Sequence, residues 1–252
     1  MATTATPAPE APAPVSSIGR IFGAIFNPKE TFASIAKQPT WFLPLLLFCV
    51  FQISLIAIFS QHVGWRAFME RQNQNNSRVE KQMEQMTPDQ REQMLNNQVK
   101  IAPIIGYVGA VVGPFIGAVV VAAIFLAVFN FVLGARIGFK SSLGIVSYAW
   151  VPGLIGILLG IVIIFIKDPS TVDLQNLVAS NPGAMLSDDS PRWLVSLLGS
   201  FDIFSFWNMI LMAFGFSATD TKKISFGKAL GAILGVWACY VLIKVGLAAA
   251  FS

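Results

Sequence analysis

Residues 200–216 read SFDIFSFWNMILMAFGF, a run of Phe, Ile, Leu, Met and Trp interrupted by one charge, Asp202. The apolar character extends back to Trp193, and a helix needs about 20 such residues to cross a bilayer. The pattern therefore predicts a membrane span over residues 193–216. A carboxylate inside it must be paired, protonated or at the edge of the apolar layer, because lipid offers it no partner.

The rest of the chain has the same character. Apolar residues make up 55% of the 252 positions, charged residues only 12%, and the mean hydropathy is +0.67. A soluble domain carries roughly 25% charged residues, so this chain cannot cover a surface that faces water. Further apolar segments of spanning length lie near 41–60, 101–133, 143–166 and 229–251. The expected fold is all-α, a polytopic integral membrane helix bundle of five transmembrane helices over residues 41–252. The second segment is too long for one straight crossing. Pro114 divides it, which predicts a kink there or a first half outside the hydrocarbon layer.

Three stretches lie outside the spans. Residues 1–16 are rich in Pro and Ala, lack the basic start of a signal peptide and read as a disordered tail. Within 17–40, Ile18, Ile21, Phe22, Ile25 and Phe26 fall on one helical face. Asn27 then opens a second helix, with Pro28 at its first position and Glu30 in its first turn. This pair reads as interfacial amphipathic helix; packing against the protein's own spans is the alternative. Residues 61–100 are polar, and Thr87-Pro88-Asp89-Gln90 fits a capping box. They read as a helical hairpin inserted between the first two spans. Asn75-Asn76-Ser77 matches a glycosylation acceptor, a pattern common by chance.

Loop charges set the orientation. Arg20, Lys29, Lys37, Arg136, Lys140, Lys222, Lys223 and Lys228 cluster on one side. Asp168, Asp173, Asp188 and Asp189 dominate the third connection, against Lys167 and Arg192. The N-terminus is expected in the cytoplasm and the C-terminus outside. The net charge of +4 serves this purpose and requires no nucleic acid.

The candidate site is a polar stripe. Asp202, Ser205 and Asn208 are spaced by three, and such groups should face the bundle interior. Asn130 and Tyr148 are expected neighbours. Lys244, at similar depth in the last span, would either pair with Asp202 or snorkel to the outer headgroups. Asp202 reads as a clasp between the third and fourth spans, bonded to Tyr148, Asn130 or Ser205. Glycines at spacing four (Gly109, Gly113 and Gly117; Gly156 and Gly160; Gly227, Gly231 and Gly235) let helices approach closely, within one protomer or between copies.

Catalytic and metal sets are not found. His62 lies at a span end, a second intramembrane carboxylate is missing, and no phosphate-binding or nucleophile-elbow motif occurs. Met69, Met83, Met86 and Met94 read as apolar contacts rather than soft-metal ligands. Asp189 or Ser190 reads as a cap for a helix starting at Pro191, not as a metal site. Cys49 and Cys239 read as packing residues. No cofactor and no enzyme activity are expected.

Three stretches resemble the Yip-one (Ypt-interacting protein one) domain family, bacterial branch. They are NPKETFASIAKQPTWFLPLLL (27–47), GFKSSLGIVSYAWVPGLIG (138–156), and FDIFSFWNMILMAFGF (201–216) followed by SFGKAL (225–230). The matching positions are Tyr148, Pro152, Asp202, Phe204, Trp207, Gly215, Lys228 and Ala229. The resemblance implies a five-span membrane protein with a cytoplasmic N-terminus and no established catalytic residue. Eukaryotic members work with Rab-type GTPases, a partnership not carried over to this sequence, whose opening segment looks bacterial.

The expected function is a non-enzymatic membrane scaffold in the bacterial inner membrane that recruits a membrane or cytoplasmic partner and self-associates through its glycine faces. A small transporter or permease-like subunit working through Asp202 is the alternative. An enzyme acting on lipids would need a nucleophile–base set that the sequence does not supply. Topology is open to direct test. A cysteine placed at position 90 should be labelled only from outside and one at 222 only from the cytoplasm; labelling of both from one side refutes the arrangement.

Overall fold

The computed structural model describes residues 16–74, 77–172, 174, 176–187 and 190–250. The tail as far as residue 15, the Asn75-Asn76 pair, Asp173, Asp188 and Asp189 lie outside them. Among the described residues the regular structure is helical. Four segments are long and apolar enough to cross a membrane: Phe42–His62, Pro88–Val132, Phe139–Ile166 and Phe226–Ala250. A pair, Arg192–Leu198 and Ile203–Thr219, bent by 46° at a short break, is a fifth candidate when counted as one span.

The N-terminal segment forms two helices, α1 (Ser17–Phe26) and α2 (Pro28–Lys37). Asn27 stands at the N-cap of α2, but its side chain bonds Glu30 at 2.6 Å instead of a backbone N–H. The helices sit so close that a Cβ at Gly23 would overlap Thr31 Oγ1. Helix α2 buries Thr31, Phe32 and Ile35 in the bundle, so it packs on the protein's own spans. Helix α1 divides its apolar face: Ile21 and Ile25 pack against the core, while Ile18, Phe22 and Phe26 point outward. Ile18, Phe22 and Phe26 are 64%, 62% and 81% exposed, while Arg20 is only 3% exposed.

Arg20 is held by neutral acceptors. Nη1 donates to the Gln38 carbonyl at 2.8 Å and Thr40 Oγ1 at 3.0 Å, and Nη2 donates to Ser34 Oγ at 3.0 Å. Thr40 Oγ1 in turn meets the Tyr148 hydroxyl at 3.1 Å. One guanidinium thus ties α1 to the end of α2 and to the bundle centre.

Helix α3 (Phe42–His62) leads to α4 (Trp65–Gln74) and α5 (Ser77–Glu84), which fold against the start of α6 (Pro88–Ala127). Thr87 and Gln90 form the reciprocal capping box. Asn73 and Gln98 exchange side-chain bonds of 2.7 and 3.2 Å, and Arg66 grips both oxygens of Glu92 at 2.8 and 3.0 Å. Glu92, by hydrogen bond and then by charge, holds the Arg66 guanidinium above its usual range. The hairpin is not separate from the second span. Helix α6 runs on through Pro103 and Pro114, because each proline removes one ladder bond and the rest carry the helix past it.

A π-helical turn, Val128–Val132, closes α6, and Gly134 reverses the chain at φ +65°. Helix α7 (Phe139–Ala149) follows, with every residue from Ser142 to Ala149 buried. It stops at Trp150, where α8 (Val151–Ile166) restarts with Pro152 in its first turn. Two short 3-10 turns lead to α9 (Arg192–Leu198), α10 (Ile203–Thr219) and α11 (Phe226–Ala250). Pro191 precedes α9 without a side-chain cap bond, and Ser190 Oγ faces Ser187 Oγ at 3.2 Å, so Ser190 is not the cap.

Helix α7 is the axle of this arrangement, touched by α1, α2, α3, α6 and α10. A Cβ at Gly215 would overlap Ile145 Cγ2, and one at Gly144 would stand 2.9 Å from the Thr40 carbonyl oxygen. Phe129 stacks on Phe216 at 4.3 Å, and Ser142 Oγ donates to the Ala122 carbonyl at 2.7 Å. Arg20→Met should free the N-terminal pair from this axle. Each lost bond to a charged donor is worth roughly 1.5–3 kcal/mol, so opening of residues 16–40 should rise by at least about tenfold. Limited proteolysis in vesicles measures it; wild-type protection in the variant rules the pin out.

Candidate functional site

Breaking a helix inside an apolar layer frees backbone groups that lipid cannot satisfy. Both breaks in this bundle, at Trp150 and at residues 199–202, recruit a residue of the predicted polar stripe.

At the first break Pro152 has no N–H, and Gly153 N–H turns to the Trp150 carbonyl at 2.7 Å. Asn208, its amide turned so that Nδ2 faces the carbonyls, donates to Ala149 O at 2.8 Å and to Phe204 O at 3.1 Å. This is a hydrogen bond between the third and fourth spans, made by Asn208.

At the second break Asp202 is the N-cap of α10 and not a mid-helix residue. Gly199 ends α9, and the Asp202 carboxylate accepts from Ser205 N at 2.9 Å through Oδ1 and from the Ser180 hydroxyl through Oδ2. Ile203 N–H also donates to the Ser180 carbonyl at 3.1 Å. The acid therefore fastens the third connection to the start of α10. Its neighbours differ from the expected ones, since a chain break places it away from the α7 centre. Tyr148 is fully buried and bonds Thr40, with its hydroxyl also 3.4 Å from the Ser17 carbonyl. Asn130 clamps the turn after α6, exchanging bonds of 3.0 and 2.9 Å with Ile137. Of the expected partners only Ser205 meets Asp202, through its backbone.

Asp202 lines an open cavity of about 860 Å³ bordered by α3, α8, the α9–α10 break, α11 and residues 176–183. Gly153, Gly156 and Gly160 form its α8 wall, and Phe204 rests on Gly156. Lys244 reaches the cavity from α11 and donates to Ser200 Oγ at 3.4 Å. It thus turns inward to the break, neither snorkelling out nor forming an ion pair with Asp202. Arg192 lines the same cavity. The sequence presents Arg192 only as a loop charge; its place in this lining depends on how α9 packs on α11, which no local pattern encodes.

The remaining motif positions have structural reasons. Pro152 sets the first break, Gly215 allows contact with α7, and Trp207 packs against the main core. Lys228, exposed at the start of α11, donates from Nζ to the Lys223 carbonyl at 3.5 Å.

Comparison with known proteins returns one family. The Yip1 domain matches residues 22–248. No curated protein and no solved structure matches the chain.

The capping geometry makes the two polar residues separable. Asp202→Asn keeps an N-cap acceptor and should leave thermal stability in detergent nearly unchanged, whereas Asp202→Leu should lose about 1 kcal/mol. Asn208→Leu should cost a similar 1–2 kcal/mol, roughly an interhelical bond in a membrane. Equal stability of all three variants would show that neither break depends on its side chain.

Proposed function

Because the chain belongs to the Yip1 domain family, we propose that this integral multi-pass membrane protein is a non-enzymatic scaffold that assembles with other membrane helices. The orientation that goes with this reading is N-terminus in the cytoplasm and C-terminus outside, in a bacterial inner membrane. Its support is the division among the glycines. Gly117, Gly156 and Gly160 contact Trp150, Phe204 and Leu177, so their faces are used within the protomer. A Cβ at Gly109, Gly113, Gly227, Gly231 or Gly235 would meet nothing within 4 Å. In α11 the open glycines recur every fourth residue and Cys239, a free exposed thiol, continues the row. Such a ridge lets a second helix approach closely, which in lipid is a main source of helix affinity.

A small transporter is the second reading, favoured by the cavity at Asp202 and Lys244. Both Asp202 oxygens are engaged in fastening the chain, which fits a structural acid better than a proton carrier. A proton-coupled flux abolished by Asp202→Asn would reverse that order.

Cys239 supplies the test. Oxidation in native membranes should give a Cys239-linked dimer or adduct, and Gly231→Leu should suppress it about tenfold or more without lowering stability, since the added side chain enters open space. Partner capture lost in Gly231→Leu without a homodimer would favour recruitment over self-association. Crosslinking and partner capture unchanged by Gly231→Leu overturn the assembly face.

A further inference from the structure

Lys244 is half-buried in α11, six residues before Ala250, so its Cα lies about 9 Å from the end of the helix. A charge at that depth needs a partner, and its recorded one is a single 3.4 Å bond to Ser200, a neutral hydroxyl that itself donates to the Ser196 carbonyl. Asp202 shares the cavity and accepts from Ser180 and the Ser205 N–H. Arg192 adds a second cation to the lining. Among the described residues, the cavity lining thus carries two cations against one acid.

From this we infer that the cavity is a binding site for an anionic phosphate-type headgroup, seated against Lys244 and Arg192. Arginine offers a fork that matches phosphate oxygens, and lysine a compact charge. At this depth in a bilayer the anionic group at hand is the phosphate of a phospholipid. The α8 wall suits the attached apolar part: Ile157 lines it with Leu55, and Phe204 and Leu177 cover Gly156 and Gly160. A volume of about 860 Å³ accommodates a headgroup and the first part of its chains, not a whole two-chain lipid. The site stands independently of the glycine-ridge reading, since its lining includes none of Gly227, Gly231 and Gly235.

The test uses full-length protein in detergent, with phosphatidylglycerol and phosphatidylcholine as probes and native mass spectrometry as readout. Phosphatidylglycerol should be retained over phosphatidylcholine. Lys244→Gln and Arg192→Gln should each weaken its retention about fivefold, the scale for one basic residue against an anionic lipid. Lys244→Arg should restore retention, and Lys140→Gln, in the α6–α7 region, should leave it unchanged. Melting temperatures without added lipid identify any variant that fails to fold, and for such a variant Lys244→Arg carries the comparison. Displacement of the lipid by millimolar inorganic phosphate assigns the site to a free anion; persistence assigns it to the lipid itself. Equal retention by wild type, Lys244→Gln and Arg192→Gln, or equal weakening by Lys140→Gln, overturns the site.

Discussion

The bundle depends on a helix break it cannot leave unsatisfied. Pro152 ends the run of α7 at Trp150, in a layer where an unbonded carbonyl would cost several kcal/mol. The remedy comes from a neighbouring span, where Asn208 reaches the Ala149 carbonyl. That bond fixes α10 against α7 in height, and Gly215 then fits where a Cβ would strike Ile145. Lowering α10 by one turn would lose both. The break also lets α7 stay short and central, with α2, α6 and α10 packed round it.

The same logic explains the orientation of the N-terminal pair. A soluble protein would turn Ile18, Phe22 and Phe26 inward and leave Arg20 in water. In a bilayer an apolar face turned to lipid costs little, while a cation facing lipid is expensive. The protein interior supplies Ser34, Thr40 and the Gln38 carbonyl for the guanidinium. Arg20 is thus buried beside Ile21, Ala24 and Ile25, while Ile18, Phe22 and Phe26 form an outward apolar edge tied to the bundle.

Small residues then sort the surfaces. Where α8 presents glycines, Phe204 and Leu177 lie against Gly156 and Gly160, and the remaining space forms the cavity beside Lys244. Where α11 presents them, no neighbour within the chain fills the row. One set of glycines is covered within the protomer and the other stands open.

The sequence alone determined the membrane class, the all-helical fold with its long apolar segments, the Thr87 capping box and the family. Each follows from composition or from spacing within about 20 residues, where local physics dominates. It also marked Asp202 and Asn208 as residues that need partners, since a polar group in an apolar run is costly wherever it points. Which partner each found was decided by tertiary structure. Asp202 and Ser180 are joined across the third connection, Asn208 and Ala149 across two spans, and Lys244 and Ser200 across α9 and α11. Hydrophobic periodicity showed that α1 has two unlike faces but not which one turns inward. That choice rests on the energy of burying Arg20 among three acceptors, and those acceptors meet only when α2 and the start of α3 are folded against the bundle.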